Sequence, residues 1–161
     1  MFDAETLALA TSVLAACRAK AWRLATAESC TGGLVAAALT AVAGSSDVVD
    51  RGFVAYSNKA KMELLGVPET TLAAAGAVSA ETATAMAQGA IYRARVDLAV
   101  SVTGIAGPGG SSAVKPVGLV YLGVATKESA RSERQVFPGD RTCVRRAAML
   151  RALEMLKEVV G

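Results

Sequence analysis

Behind Asp3, the apolar positions Leu7, Val13, Leu14 and Cys17 recur at helical spacing, which predicts a helix capped by Asp3 and running to about Lys20. Arg23–Ala27 then reads as a short strand, and Gly32–Val42 as a helix closed by Gly44. Gly52–Tyr56 alternates as a strand does. Ser57 caps a helix through Leu65 that stops at Gly66, with Pro68 just beyond. A short helical piece at Glu69–Ala74 precedes a helix over Ala80–Arg93, capped by Ser79. Asp97–Thr103 is a buried strand, with Leu98, Val100 and Val102 on one face and Ala99 and Ser101 on the other. A loop dense in glycine and proline fills Gly104–Pro116. Gly118–Thr126 and Ser132–Phe137 are strands, and Asp140 caps a last helix running almost to Val160. Strands alternating with helices, followed by two adjacent strands, predict an α/β fold with a mixed sheet between helical layers.

Composition narrows the class. At 161 residues the chain reads as one domain over 1–161, without an internal repeat or linker. Its 53% hydrophobic content is mostly alanine, and no apolar run approaches the ~20 residues of a membrane span. The acidic opening Met-Phe-Asp-Ala-Glu is unlike a signal peptide, so the expected location is cytoplasmic. Three cysteines, Cys17, Cys30 and Cys143, show no CxxC spacing and are expected as free thiols. Glu28, Asp47, Asp50 and Asp97 are too scattered to predict a metal site and read as caps or surface charges. The net charge of +3 lies in the C-terminal fifth, around Arg141, Arg145, Arg146 and Arg151. That excess fits a solvated helix face, a small anionic ligand or a subunit contact. With only 4% aromatic residues, a nucleic-acid partner is not expected. The alanine-rich helices are compatible with a homo-oligomer.

Three segments carry candidate chemistry. Thr26-Ala27-Glu28-Ser29-Cys30-Thr31-Gly32-Gly33 places hydroxyls, a thiol and two glycines at a strand-to-helix turn. Ser29 could be no more than an N-cap, but Cys30, Thr31, Gly32 and Gly33 are more than a cap needs. Their N–H groups could hold an oxyanion or a phosphate. The chain has no histidine, which excludes a Ser-His-Asp or Cys-His machine built from it alone, so lysine is the natural base. Cys30 is the rival nucleophile, and its plainer role is that of a small buried hydrophobe. In Tyr56-Ser57-Asn58-Lys59-Ala60-Lys61 the two lysines point to opposite sides of a helix, so at most one faces a site. The third segment runs from Ser101 through Thr103, Gly104 and Gly107 to Gly110, a strand entering a glycine-rich loop. It matches neither nucleotide-binding glycine motif and also suits a plain connection.

Together these segments resemble the CinA C-terminal domain family, whose enzymatic members are nicotinamide-mononucleotide (NMN) amidohydrolases. Matching stretches are Thr26–Gly33, Ala43–Ser46, Arg51–Lys61, Gly76–Ser79, Ser101–Gly110, Lys115–Gly118 and Gly139–Arg141, spanning nearly the whole chain. The resemblance implies a three-layer α/β/α sandwich with a mixed central sheet. It implies Ser29 as nucleophile, Lys61 as its base and Tyr56 as assistant. It also implies that Asn58, Thr103 and Arg141 contact the nucleotide, beside the glycine loops, with Arg141 on the phosphate. No metal or cofactor is called for. Many members carry a further N-terminal domain resembling molybdopterin-binding proteins, so this chain resembles the stand-alone form. The alternative within the same fold is a nucleotide-binding module without turnover.

Overall fold

Leu24, Thr26 and Glu28 alternate with Ala25 and Ala27 along β1 (Leu24–Glu28), and every one of the five is buried, as a central strand covered on both faces requires. In the computed structural model, which describes residues 1–161, β1 pairs in parallel with β2 (Val49–Val54) and with β3 (Leu98–Gly104). Two antiparallel strands, β4 (Leu119–Thr126) and β5 (Ala130–Val136), complete a mixed sheet of order β2-β1-β3-β4-β5.

One face carries α1 (Ala4–Ala19), α2 (Leu34–Thr40) and α6 (Arg141–Val160). Leu24, Leu98, Val100, Val102, Leu122 and Val124 pack there against Val13, Leu14, Val35, Leu39 and Leu153. The other face takes α5 (Ala80–Ala94), with α3 (Asn58–Leu65) and α4 (Glu69–Ala75) outside it. Small residues bring α5 close to the sheet. A Cβ on Gly123 of β4 would stand 2.5 Å from the Ala83 carbonyl oxygen, which also accepts a hydrogen bond from Ser101 Oγ. Gly89 brings α5 against the end of α3 in the same way, where a Cβ would stand 1.9 Å from the Leu65 carbonyl oxygen. The arrangement is a three-layer α/β/α sandwich, as the sequence pattern predicts.

Asp3, Ser57, Ser79 and Asp140 cap their helices through their side chains, as expected. Three elements depart from the expected bounds by two residues or more. The helix expected from Gly32 begins at Leu34, because Gly32 and Gly33 both take positive φ (61° and 102°) and form the turn. The strand expected over Gly52–Tyr56 runs from Val49 to Val54, its register set by pairing with β1 (Leu24 opposite Val49). The strand expected over 132–137 starts at Ala130, drawn back by its antiparallel partner β4. No helix is long and apolar enough to cross a membrane.

Candidate active site

The chain leaves β1 toward β2 on one side, while β3, reached by crossing over β1, continues toward β4 on the other. The carboxyl ends of β1 and β3 therefore flank a crevice, a usual ligand position in open α/β sheets. Ser29 sits there as the first residue after β1, its N–H bonded to the Val102 carbonyl of β3 (2.8 Å). Its side chain meets Lys61, which comes from α3: Nζ lies 3.1 Å from Ser29 Oγ, 3.2 Å from the Ala55 carbonyl and 3.5 Å from the Tyr56 carbonyl.

Lys61 is only 1% exposed, and no carboxylate is among its contacts. Burial lowers its pKa from the ordinary lysine value. In its neutral form, two N–H bonds can serve the two carbonyls while the lone pair faces the serine hydroxyl. That is the state a general base needs. Lys59, two positions away, is exposed and pairs with Glu63. Cys30 is buried beside the pair, and desolvation pushes its thiol up to about 11, far from a thiolate at neutral pH.

The turn after Ser29 is held from two directions. The Glu28 carboxylate, 1% exposed, accepts from the N–H groups of Gly33 (3.0 Å), Val35 (3.1 Å) and Ala36 (2.9 Å). A carboxylate of the chain itself therefore fills the amino end of α2, favoured there by the exposed N–H groups. The Gly32 N–H goes to the Ser29 carbonyl (3.0 Å). Of the four residues expected to offer an oxyanion donor, Gly32 and Gly33 are thus committed within the protein. The N–H groups of Cys30 and Thr31 have no protein acceptor. From the opposite side, Arg145 of α6 donates from Nε to the Cys30 carbonyl and from Nη2 to the Thr31 carbonyl, both at 3.0 Å.

Arg141, one turn earlier on α6, donates from Nη1 to the Gly107 carbonyl (2.9 Å) and from Nη2 to the Tyr56 hydroxyl (3.0 Å). Tyr56 is 60% exposed; it borders Lys61 through its carbonyl, while its hydroxyl meets Arg141. Asn58 lies exposed in the first turn of α3. Thr103 is buried, and its hydroxyl donates to the Ala77 carbonyl (2.7 Å). Gly104 owes its identity to packing: a Cβ there would stand 2.8 Å from the Leu119 carbonyl oxygen. The structure thus joins Ser29 to Lys61, and Arg141 to Tyr56 and Gly107, at one sheet edge. A separate groove of about 800 Å³ between α3, α4 and α5, lined by Pro68, Thr71 and Tyr92 among others, holds none of these residues.

Sequence reasoning gave Glu28 no more than a cap or surface charge and did not single out Arg145 as a site residue. The available signal for Arg145 was its position one helical turn from Arg141, on the same face of α6.

The CinA C-terminal domain profile matches residues 6–160 of this chain. A nicotinamide-nucleotide amidohydrolase PncC from Enterobacter agglomerans is 52% identical over 147 residues, covering 91% of this chain and 90% of that protein. The protein of the same name from Escherichia coli K12 is 49% identical over 157 residues, covering 97% and 95%. The crystal structure of a competence/damage inducible protein from Agrobacterium tumefaciens superposes with a TM-score of 0.97 at 48% identity, covering 100% of this chain and 99% of that one. A CinA-like protein of Syntrophobacter fumaroxidans, 50% identical over 143 residues, is matched over 34% of its length, so the chain spans about a third of such longer relatives.

Proposed function

The chain belongs to the CinA C-terminal domain family, and from that premise we propose that residues 1–161 act as one amidohydrolase domain that converts nicotinamide mononucleotide to nicotinate mononucleotide and ammonia in the cytoplasm. The observation that carries the reading is the buried Lys61 Nζ, 3.1 Å from Ser29 Oγ, with no carboxylate to hold it charged.

Ser29 Oγ attacks the carboxamide carbon as its proton passes to Lys61 Nζ; the new bond is C–O, and the carbonyl electron pair moves to oxygen. The Cys30 N–H, which has no protein acceptor, receives that oxyanion. Collapse breaks the C–N bond, and the proton on Lys61 leaves with the amine as ammonia. Water, deprotonated by the same lysine, then hydrolyses the ester and frees Ser29. The sum is carboxamide plus water to carboxylate plus ammonium.

Substrate orientation follows from charge. Because Glu28 fills the amino end of α2, a phosphate is repelled from that end and drawn to Arg141. The Arg141 guanidinium has only a carbonyl and a hydroxyl as partners, so its charge is available to two phosphate oxygens.

Ammonia release from NMN tests the reading. Lys61→Met lowers kcat by roughly 10²–10⁴-fold, the worth of a general base, and Ser29→Ala by at least as much. NMN binding without ammonia release by the wild-type chain would replace this reading with a binding module. Activity rises with pH through the depressed Lys61 pKa, because only the neutral amine accepts the serine proton.

A further inference from the structure

Phe2 precedes α1, Leu34 opens α2, and Thr142, Arg145 and Met149 lie in the first half of α6. The fold gathers these five residues around a cavity of about 260 Å³. Ser29, Tyr56, Lys61 and Arg141 are not part of its wall, so it is distinct from the crevice described above. Phe2 and Leu34 pack against the main core, and Met149 is buried within it, which makes one side of the cavity apolar.

The other side carries charge. Asp3 and Arg146 also border the cavity, but they pair with each other, and Asp3 further accepts from the N–H and the hydroxyl of Thr6. Arg145 is the one charged side chain on the wall that no carboxylate meets. Its Nε and Nη2 donate to the carbonyls of Cys30 and Thr31, and Nη1 has no partner in the chain. Cys30 and Thr31 lie outside the cavity wall, so Arg145 stands between the cavity and the turn that carries Ser29.

A half-buried guanidinium with spare N–H groups and no counter-ion is complementary to an anion. The apolar wall asks the rest of that ligand to be apolar, and Asp3 at the border disfavours a second negative charge. Size sets the remaining limit. A cavity of ~150 Å³ takes benzene, so this one has room for a single ring bearing a carboxylate.

We propose that the cavity between the start of α1, α2 and α6 is a binding site for a small monocarboxylate with a compact apolar body, its carboxylate paired with Arg145. The site goes beyond the amidohydrolase reading and does not rest on it. Because the same guanidinium holds the Cys30 and Thr31 carbonyls, occupancy is relayed to the turn behind it.

The test titrates the full chain with cyclohexanecarboxylate and, separately, with its neutral counterpart cyclohexylmethanol, followed in ¹H–¹⁵N spectra. The acid is expected to shift the Phe2, Leu34, Thr142 and Met149 amides saturably at roughly millimolar concentration, with those of Cys30 and Thr31 following at the same midpoint. The alcohol is expected to bind roughly 10-fold or more weakly. Thr142→Trp, a change at an exposed position, fills the mouth and abolishes the shifts. Arg145→Met keeps the apolar stem and reduces the acid to the affinity of the alcohol. Equal binding of acid and alcohol overturns the proposal, as does an unaltered titration in Thr142→Trp or no saturable shift below ~20 mM. Shifts centred on Tyr56, Asn58 and Arg141, or displacement of the acid by NMN, would place it in the substrate crevice and equally overturn the proposal. None of these readouts requires turnover, so a chain that releases no ammonia leaves the test intact.

Discussion

At the start of α6, Arg141 and Arg145 hold their guanidinium groups against oxygens that bear no formal charge: the carbonyls of Gly107, Cys30 and Thr31 and the hydroxyl of Tyr56. Farther along the same helix, Arg151 is surrounded by Glu133, Glu154 and Glu158, and Arg131 of β5 joins the network through Glu158. Arg146, next to Arg145 in sequence, turns outward to Asp3 and Glu5. One helix thus carries two classes of arginine. Where carboxylates surround the guanidinium, its charge is cancelled and serves to fasten α6 to β5 (Arg151) or to the start of α1 (Arg146). Where only dipoles surround it, positive potential remains at the sheet edge, available to an anion. The basic excess of the C-terminal fifth is both a solvated face and a candidate ligand site, divided along the helix axis.

The sharpest way to break this division is Arg141→Ala. Loss of a charge-assisted contact worth about 1.5–3 kcal/mol is expected to raise KM for NMN roughly 10- to 100-fold, with much less effect on the dephosphorylated nucleoside. Steady-state kinetics on the two substrates reads this directly; an equal loss on both would remove Arg141 from the phosphate.

Arg151→Met is the opposite case, with kcat/KM unchanged and stability lowered by about 1 kcal/mol at neutral pH, since these pairs are partly solvated. The hydrogen bond from Arg151 lowers the Glu133 pKa to about 2. The folded value lies below the unfolded one of ~4.3, so this stabilisation is fully present above about pH 4.3 and is lost as pH falls toward 2. Melts of wild type and variant should therefore converge across that interval. The smallest effect belongs to Arg146→Ala, whose partners are solvent-exposed. Its kinetics should match wild type, and its Tm should change less than that of Arg151→Met.

What the sequence discloses follows the range of the interactions. The caps at Asp3, Ser57, Ser79 and Asp140 are legible because donor and acceptor lie within one turn. The beginning of α2 is not, because its N–H groups are met by Glu28 from the preceding strand rather than by a residue at the cap position. Helical spacing tells only that Lys59 and Lys61 face opposite ways; the family resemblance points to Lys61, and the packing of α3 buries it while Lys59 stays exposed. Arg145 leaves only an indirect trace, its place one turn beyond Arg141, since its partners are backbone carbonyls more than a hundred positions away and backbone atoms look alike in any sequence.

The contact at Gly89 constrains how this chain could be varied. Replacing an interior helix glycine with alanine ordinarily gains roughly 0.5–1 kcal/mol, which makes it a routine choice in thermostability engineering. Here even a methyl group would collide with the Leu65 carbonyl, pushing away the helix that carries Lys61. The intrinsic helix preference of α5 and the placement of the base are therefore in conflict at one residue. A stabilised variant of this scaffold would have to leave that position alone, although it contributes no side chain to the chemistry.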